Sequence, residues 1–284
     1  MCLIGWVIAD DGMPLWVASN RDESWDRATQ PLHTWTLPNG VRVCGGRDAV
    51  AGGSWLALSD NGRLAMLTNV RAWPPEPARV ASRGALVTAW LAGDDADWLA
   101  WARRHDAATV NGCNIVLADV RRAEWIWLTN RDPGPVPAPL QAGIWRGRRL
   151  PPGVYTLSNA ALDTPWPKQQ ALARALQRAL SQRQHERGCA TLRQTLQQHQ
   201  QADDVQTHLL SSPFVWLPQQ RYGTRSTLVV HSVAGRRLLL CEHTYTPADD
   251  AVPTSGTVRC LTIDWWGMPT SSCGSPSGSQ PKRT

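Results

Sequence analysis

Residue 2 of the chain is a cysteine. Methionine aminopeptidases remove an initiator methionine that precedes a small residue, and cysteine qualifies, so a matured chain can begin with a free amine on Cys2. Nucleophile and base then belong to one residue. An α-amine of pKa about 7.7–8.0 and a thiol of about 8.5 are matched for proton transfer at neutral pH, and an N-terminal amine that activates its own side chain is an established nucleophile design. The simpler reading makes Cys2 a small buried residue of a first strand.

A second polar group, Asn20-Arg21-Asp22-Glu23, follows an apolar run. Asp22 can accept a hydrogen bond from a protonated amine and orient it. Arg21 can lower a thiol pKa or bind an anionic substrate. Asn20 can donate to a developing oxyanion, and Glu23 completes a substrate-binding set of Asn20, Arg21 and Glu23. The same residues with Arg27 would also make an ordinary salt-bridge network at a strand end.

These groups need a frame that brings them together. Residues 2–9 and 14–20 are strand-forming runs, and residues 10–13 (Asp-Asp-Gly-Met) supply turn chemistry between them. A turn centred on Asp11 and Gly12 pairs residues whose numbers sum to about 23, which puts Cys2 beside Asn20, Arg21 and Asp22. The chain from there to residue 40 reads as an outgoing loop.

A second hairpin is expected at 54–58 and 63–69 around Asp60-Asn61-Gly62. Ser82 reads as the N-cap of a helix through Trp90, with Leu86, Val87, Trp90 and Leu91 on one stripe, and a second helix spans 94–105. Strands follow at 113–119, 124–130 and 154–159, with a Pro-rich loop at 132–139. A helical block covers 165–210, and a last hairpin, 224–232 and 237–245, turns near Ala234-Gly235. Paired hairpins alternating with paired helices predict an α+β fold of stacked antiparallel sheets covered by helices.

Composition narrows the function. The arginines behind the net charge of +6 are dispersed, which argues against nucleic acid. No run of about 18 apolar residues is present, so no integral membrane segment is expected, and the chain reads as cytoplasmic. Seven cysteines without CxxC pairs suit reduced thiols, with Cys44, Cys113, Cys189, Cys241 and Cys260 as small buried residues. The seven histidines lack metal-site spacing and read mostly as solvent-facing, so no metal site is expected. Sixteen tryptophans against one phenylalanine suit core packing, and they also suit an apolar ligand pocket. Residues 1–247 read as one domain and 248–284 as a Ser-, Gly- and Pro-rich extension, disordered over its last dozen residues.

The opening Met-Cys-Leu-Ile and the tetrapeptide Asn20-Arg21-Asp22-Glu23 resemble the signature of the NRDE (transport and Golgi organisation) family. Further blocks match in order: Gly52-Gly53-Ser54-Trp55-Leu56, Thr68-Asn69-Val70-Arg71, Ser82-Arg83-Gly84, Leu157-Ser158-Asn159, residues 162–168, and Tyr222-Gly223-Thr224-Arg225-Ser226. That family is similar to the choloylglycine and penicillin V acylase branch of the N-terminal nucleophile (Ntn) hydrolases. The resemblance implies a four-layer αββα sandwich, with Cys2 as nucleophile and Asp22 as the carboxylate that holds its amine. By the same resemblance Asn69 and Asn159 are oxyanion donors and Arg225 is a catalytic arginine. The first arginine of the acylases has no match here. Ser19 fills its place, and Arg21 stands one side of the strand away.

Two functions remain open at this level. One is a hydrolase of an amide or thioester that forms an acyl-enzyme at Cys2 and requires no cofactor. The other is a non-catalytic carrier of haem or of an acyl-lipid or acyl-coenzyme A ligand, with Arg21 and Arg225 meeting carboxylates and Cys2 ligating iron.

Overall fold

In β1 (Cys2–Ile8) the side chains of Cys2, Ile4, Trp6 and Ile8 face one way and those of Leu3 and Val7 the other, and all of them are buried. A strand buried on both faces needs a layer on each side. The computed structural model describes residues 2–9, 15–70, 77–131, 140–142, 145–182, 184–233, 237–247, 251–253 and 256–264, and it supplies both layers.

One antiparallel sheet has the order β11-β1-β2-β13-β14-β15, built from β11 (Gly153–Leu157), β1, β2 (Trp16–Ser24), β13 (Tyr222–Ser232), β14 (Arg237–Thr244) and β15 (Thr257–Asp264). The short β12 (Trp216–Leu217) pairs with β13. The other sheet runs β3-β4-β5-β6-β7-β8-β10-β9. Its strands are β3 (Thr29–Thr36), β4 (Arg42–Asp48), β5 (Leu56–Ser59), β6 (Arg63–Asn69), β7 (Cys113–Asp119), β8 (Glu124–Thr129), β10 (Trp145–Arg149) and β9 (Leu140–Ala142).

Three apolar clusters fix the layering. Ile4, Trp6, Val17, Leu228 and Leu240 of the first sheet pack on Leu56, Leu58, Met66, Val116 and Trp127 of the second. Leu3, Val7, Ala18 and Val229 look outward to α3 (Pro167–Ser181) and α4 (His185–Leu196) through Leu172, Leu176, Leu192 and Leu196. Ala57, Ala65, Ile115 and Leu117 look outward to α1 (Arg83–Ala92) and α2 (Trp98–Arg104) through Leu86, Val87, Trp90, Leu91 and Trp101. The order of layers is helix, sheet, sheet, helix, the expected αββα sandwich. A short α5 (Val205–Ser211) completes the helices.

The expected hairpin register holds: Cys2 pairs with Arg21 and Trp6 with Val17, numbers that sum to 23. The second hairpin and the Ser82 cap also hold, with the Ser82 hydroxyl accepting from the Gly84 N–H. Helix α2 is shorter than expected because the Asp97 side chain accepts the Ala100 N–H and starts the helix there.

Three segments differ from expectation. Residues after Asn20 are not a loop, since β2 continues to Ser24 and β3 follows. Strands β9 and β10 fill ground given no element, and β15 adds an edge strand inside the Ser-, Gly- and Pro-rich region. Two residue expectations are also corrected. Cys241 and Cys260 are not reduced thiols: they face each other across β14 and β15 with Cα atoms 4.2 Å apart, within disulfide reach, and are bonded. His208 and His231 are buried, and of the seven histidines His185 alone is exposed.

Among the described residues no helix is long and apolar enough to cross a membrane. The turns expected at 10–13 and 234–235, the loop 132–139 and the tail beyond 264 lie outside the described residues.

Candidate active site

The ends of β1, β2 and β6 converge with the β4–β5 corner and the start of α1 around a cleft of about 190 Å³. Cys2 lines it, and so do Arg21, Asp22, Glu23 and Asn69. Five of the eight residues expected from sequence therefore meet in one place.

Strand alternation distributes the tetrapeptide. Val17 belongs to the inter-sheet core and Ala18 to the helix-facing one. Ser19 and Arg21 therefore share the inter-sheet face with Cys2, while Asn20 looks toward the helices. This corrects the expected misplacement of Arg21, because a two-residue offset is one full pleat and keeps the face. The Arg21 guanidinium lies 4.3 Å from the centre of the Trp55 ring, with Nη2 3.8 Å from Glu23. Trp55 in turn packs against Gly46, where a Cβ would come within 2.3 Å of the indole.

Asp22 is almost fully buried, and its Oδ1 accepts the Thr224 hydroxyl at 2.7 Å. Burial pushes its carboxyl up. The N-terminal charge, the buried Lys168 and the Thr224 bond oppose that shift. Burial likewise pushes the Cys2 thiol up, the N-terminal charge draws it back, Asp22 adds to the rise, and Arg21 opposes it. The thiol therefore stays protonated at neutral pH unless a base contacts it.

Asn69 ends β6, and its carbonyl accepts Asn159 Nδ2 at 2.9 Å. Behind it, the Ser158 hydroxyl lies 2.9 Å from the Cys2 carbonyl and 3.1 Å from Asn159 Oδ1. Asn159 is thus a clamp joining the ends of β1, β6 and β11, one step removed from the cleft.

Two expected residues do other work. Asn20 donates to the carbonyls of Leu196 (2.7 Å) and Pro213 (2.9 Å) and accepts the Thr227 hydroxyl, so its amide ties β2 to the helix layer instead of facing an oxyanion. Arg225 Nη1 donates to the carbonyls of Ser24 and Trp25, both at 2.9 Å, and pins the turn after β2. It is absent from the cleft lining because those carbonyls hold it.

Sequence reasoning gave no role to Trp55, Asp48 or Arg83, which also line the cleft, whereas Arg27 lies there in the salt-bridge network expected of it. Arg27 Nε bonds Asp48 at 2.8 Å and lies 3.9 Å from Glu23. Trp55 and Arg83 do fall inside the matched blocks 52–56 and 82–84, which was the available signal.

Among solved structures, the fold is similar to a Caenorhabditis elegans N-acylethanolamine-hydrolyzing acid amidase ortholog (12% identity, 80% of this chain and 92% of that one, TM-score 0.45). It is also similar to a mutant conjugated bile acid hydrolase from Clostridium perfringens (10% identity, 92% of each chain, TM-score 0.47). The Transport and Golgi organization 2 homologs of Mus musculus and Homo sapiens are each 32% identical over 170 residues, covering 57% of this chain and 56% of theirs. The chain thus spans about half the length of the curated relatives it matches. The family model for Transport and Golgi organisation 2 matches residues 1–247, and the chain belongs to that family.

Proposed function

We propose that the chain is an N-terminal-cysteine hydrolase acting on an amide or thioester bond. The observation that supports this best is the position of Cys2: the first strand residue stands in a polar cleft, opposite Arg21 and in the company of a buried Asp22 and of Asn69.

Removal of Met1 would free the Cys2 amine next to Asp22. A buried thiol with a raised pKa needs a base within contact, and its own amine is one. The amine takes the Sγ proton as Sγ bonds to the substrate carbonyl carbon, whose π electrons move to oxygen. Asn69, which lines the cleft, would donate to that oxyanion, a contribution of about 3–4 kcal/mol for a well-placed donor. The C–N or C–S bond then breaks, the leaving group takes the ammonium proton, and a thioester remains on Cys2. Water attacks it, its proton passing through the amine, and a carboxylic acid leaves.

A carrier of haem or an acyl ligand would use the same cleft, but it loses Arg225 as an anchor. Burial also disfavours the thiolate that iron ligation needs.

Intact mass and N-terminal peptide mapping, before and after a thiol-acylating probe, test the proposal. The expected result is loss of Met1 and labelling at Cys2, with Cys2→Ala folded but unlabelled there and without turnover. Retained Met1 with an inert Cys2 would sink the amine-activated mechanism and leave the carrier reading.

A further inference from the structure

Resting on the reading of Cys2 as nucleophile, we propose that the cleft holds an anion subsite formed by Arg21, Arg83 and the N-terminus of α1. It selects substrates that carry a carboxylate or phosphate a few bonds from the scissile carbonyl.

Arg21 is the first support. Its side chain is only 4% exposed, one face is covered by Trp55, and Nη2 reaches Glu23 at 3.8 Å. Among the described residues its Nη1 is buried and has no hydrogen-bond partner. A buried donor without an acceptor costs about 1–3 kcal/mol, and an acceptor entering the cleft removes that cost. Arginine's planar fork fits carboxylate and phosphate oxygens.

The start of α1 is the second. Ser82, Arg83 and Gly84 line the same cleft, and the ten-residue α1 carries no acidic side chain in its first turn. Ser82 already takes the Gly84 N–H on its hydroxyl and the Ala85 N–H on its carbonyl, so what α1 brings to an anion is the positive end of its dipole. Gly53 seats it there: a Cβ on Gly53 would lie 2.3 Å from the Gly84 carbonyl carbon, and the Ser54 N–H donates to the Gly84 carbonyl. Arg83 itself donates to the Gly112 carbonyl at 3.3 Å and, among the described residues, has no carboxylate within ion-pair distance.

Asp22, Glu23 and Asp48 equal Arg21, Arg27 and Arg83 in number, but each acid is already held by a fixed partner. Asp48 is held by Arg27 and by the N–H groups of Val50 and Ala51. Glu23 accepts the Ser24 N–H and lies between Arg21 and Arg27. Asp22 is bonded to Thr224. Size adds a constraint: about 190 Å³ is below the ~300 Å³ at which drug-sized pockets begin. Anion and carbonyl must therefore lie close together.

Two measurements on the full chain test the subsite. At constant ionic strength set with chloride, inorganic phosphate or acetate should raise the Tm of the wild type but not of Arg21→Met, with a reduced shift in Arg83→Gln. A response to phosphate alone identifies a phosphorylated substrate, and one to acetate a carboxylate. No shift over chloride, or equal shifts in wild type and both variants, overturns the subsite.

The second is alkylation of Cys2 by iodoacetate against iodoacetamide, compared with the same ratio for a free Cys-terminal peptide. The protein should favour iodoacetate by about tenfold or more over the peptide, and Arg83→Gln should lower that preference even if Arg21→Met fails to fold. Labelling without charge preference overturns the subsite and leaves the nucleophile standing. An inert Cys2 with an Arg21-dependent phosphate or acetate shift does the reverse.

Discussion

Asn20 spends its whole side-chain amide on the fold, with two carbonyls accepting from Nδ2 and the Thr227 hydroxyl donating to Oδ1. Its neighbour Arg21 faces the cleft. Replacement of the two should therefore separate stability from chemistry. Asn20→Leu leaves buried partners unsatisfied and should cost about 1–3 kcal/mol or more in denaturant unfolding, with little change in the rate at which Cys2 is labelled. Asn159 sits between these cases, since among the described residues its side chain meets the site through the Asn69 carbonyl and Ser158. Once a substrate is in hand, Asn159→Leu should lower kcat with KM nearly unchanged, because the loosened β6 end misplaces the Asn69 donor without removing a substrate contact. A rise in KM alone would place Asn159 in direct contact with substrate.

The elements that carry the site were legible where turn chemistry and alternation agree. The β1–β2 hairpin followed from an Asp-Asp-Gly turn between two apolar runs, and with it came the Cys2–Arg21 pairing. Asn61-Gly62 placed β5 and β6, which end at Asn69. Strand β3 was not legible because it is an edge strand with Pro31 inside it and a half-exposed pattern, which reads as loop. Strand β15 is mostly exposed and lies in a region whose composition signals disorder. Pairing with β14 along its whole length, the Arg259 donation to the Leu32 carbonyl and the Cys241–Cys260 bond hold it in place. Asn20 and Arg225 were misassigned because sequence shows that a polar side chain exists and not which carbonyls it will meet. Two predictions belong at this scale. Gly53→Ala should push the start of α1 away from the β4–β5 corner, costing about 1–3 kcal/mol in stability and slowing Cys2 labelling together. Reduction of the bond across a 19-residue separation should cost about 3 kcal/mol and lower Tm without altering Cys2 labelling.

At the scale of the whole molecule, the two sheets are joined by an apolar core that a buried carboxylate crosses. Glu242 on β14 is 2% exposed, and its Oε2 accepts the Leu32 N–H of β3 in the opposite sheet. Burial pushes its pKa up, and the Leu32 and Ser226 bonds with the charges of Arg21 and Arg259 only partly offset that. A raised native pKa means that the folded state holds the proton more tightly than the unfolded chain. The stability Glu242 contributes is then fully present below the ordinary glutamate value of about 4.3 and is lost as pH climbs through the raised native value. Glu242→Gln keeps an acceptor for the Leu32 N–H and removes the titration. Denaturant midpoints measured from acid to neutral pH should show the wild type losing ground to Glu242→Gln as pH rises through that window. A difference that is flat, or that moves the other way, would mean that Leu32, Ser226 and the two arginines outweigh burial, and that the inter-sheet layer carries a fully matched charge.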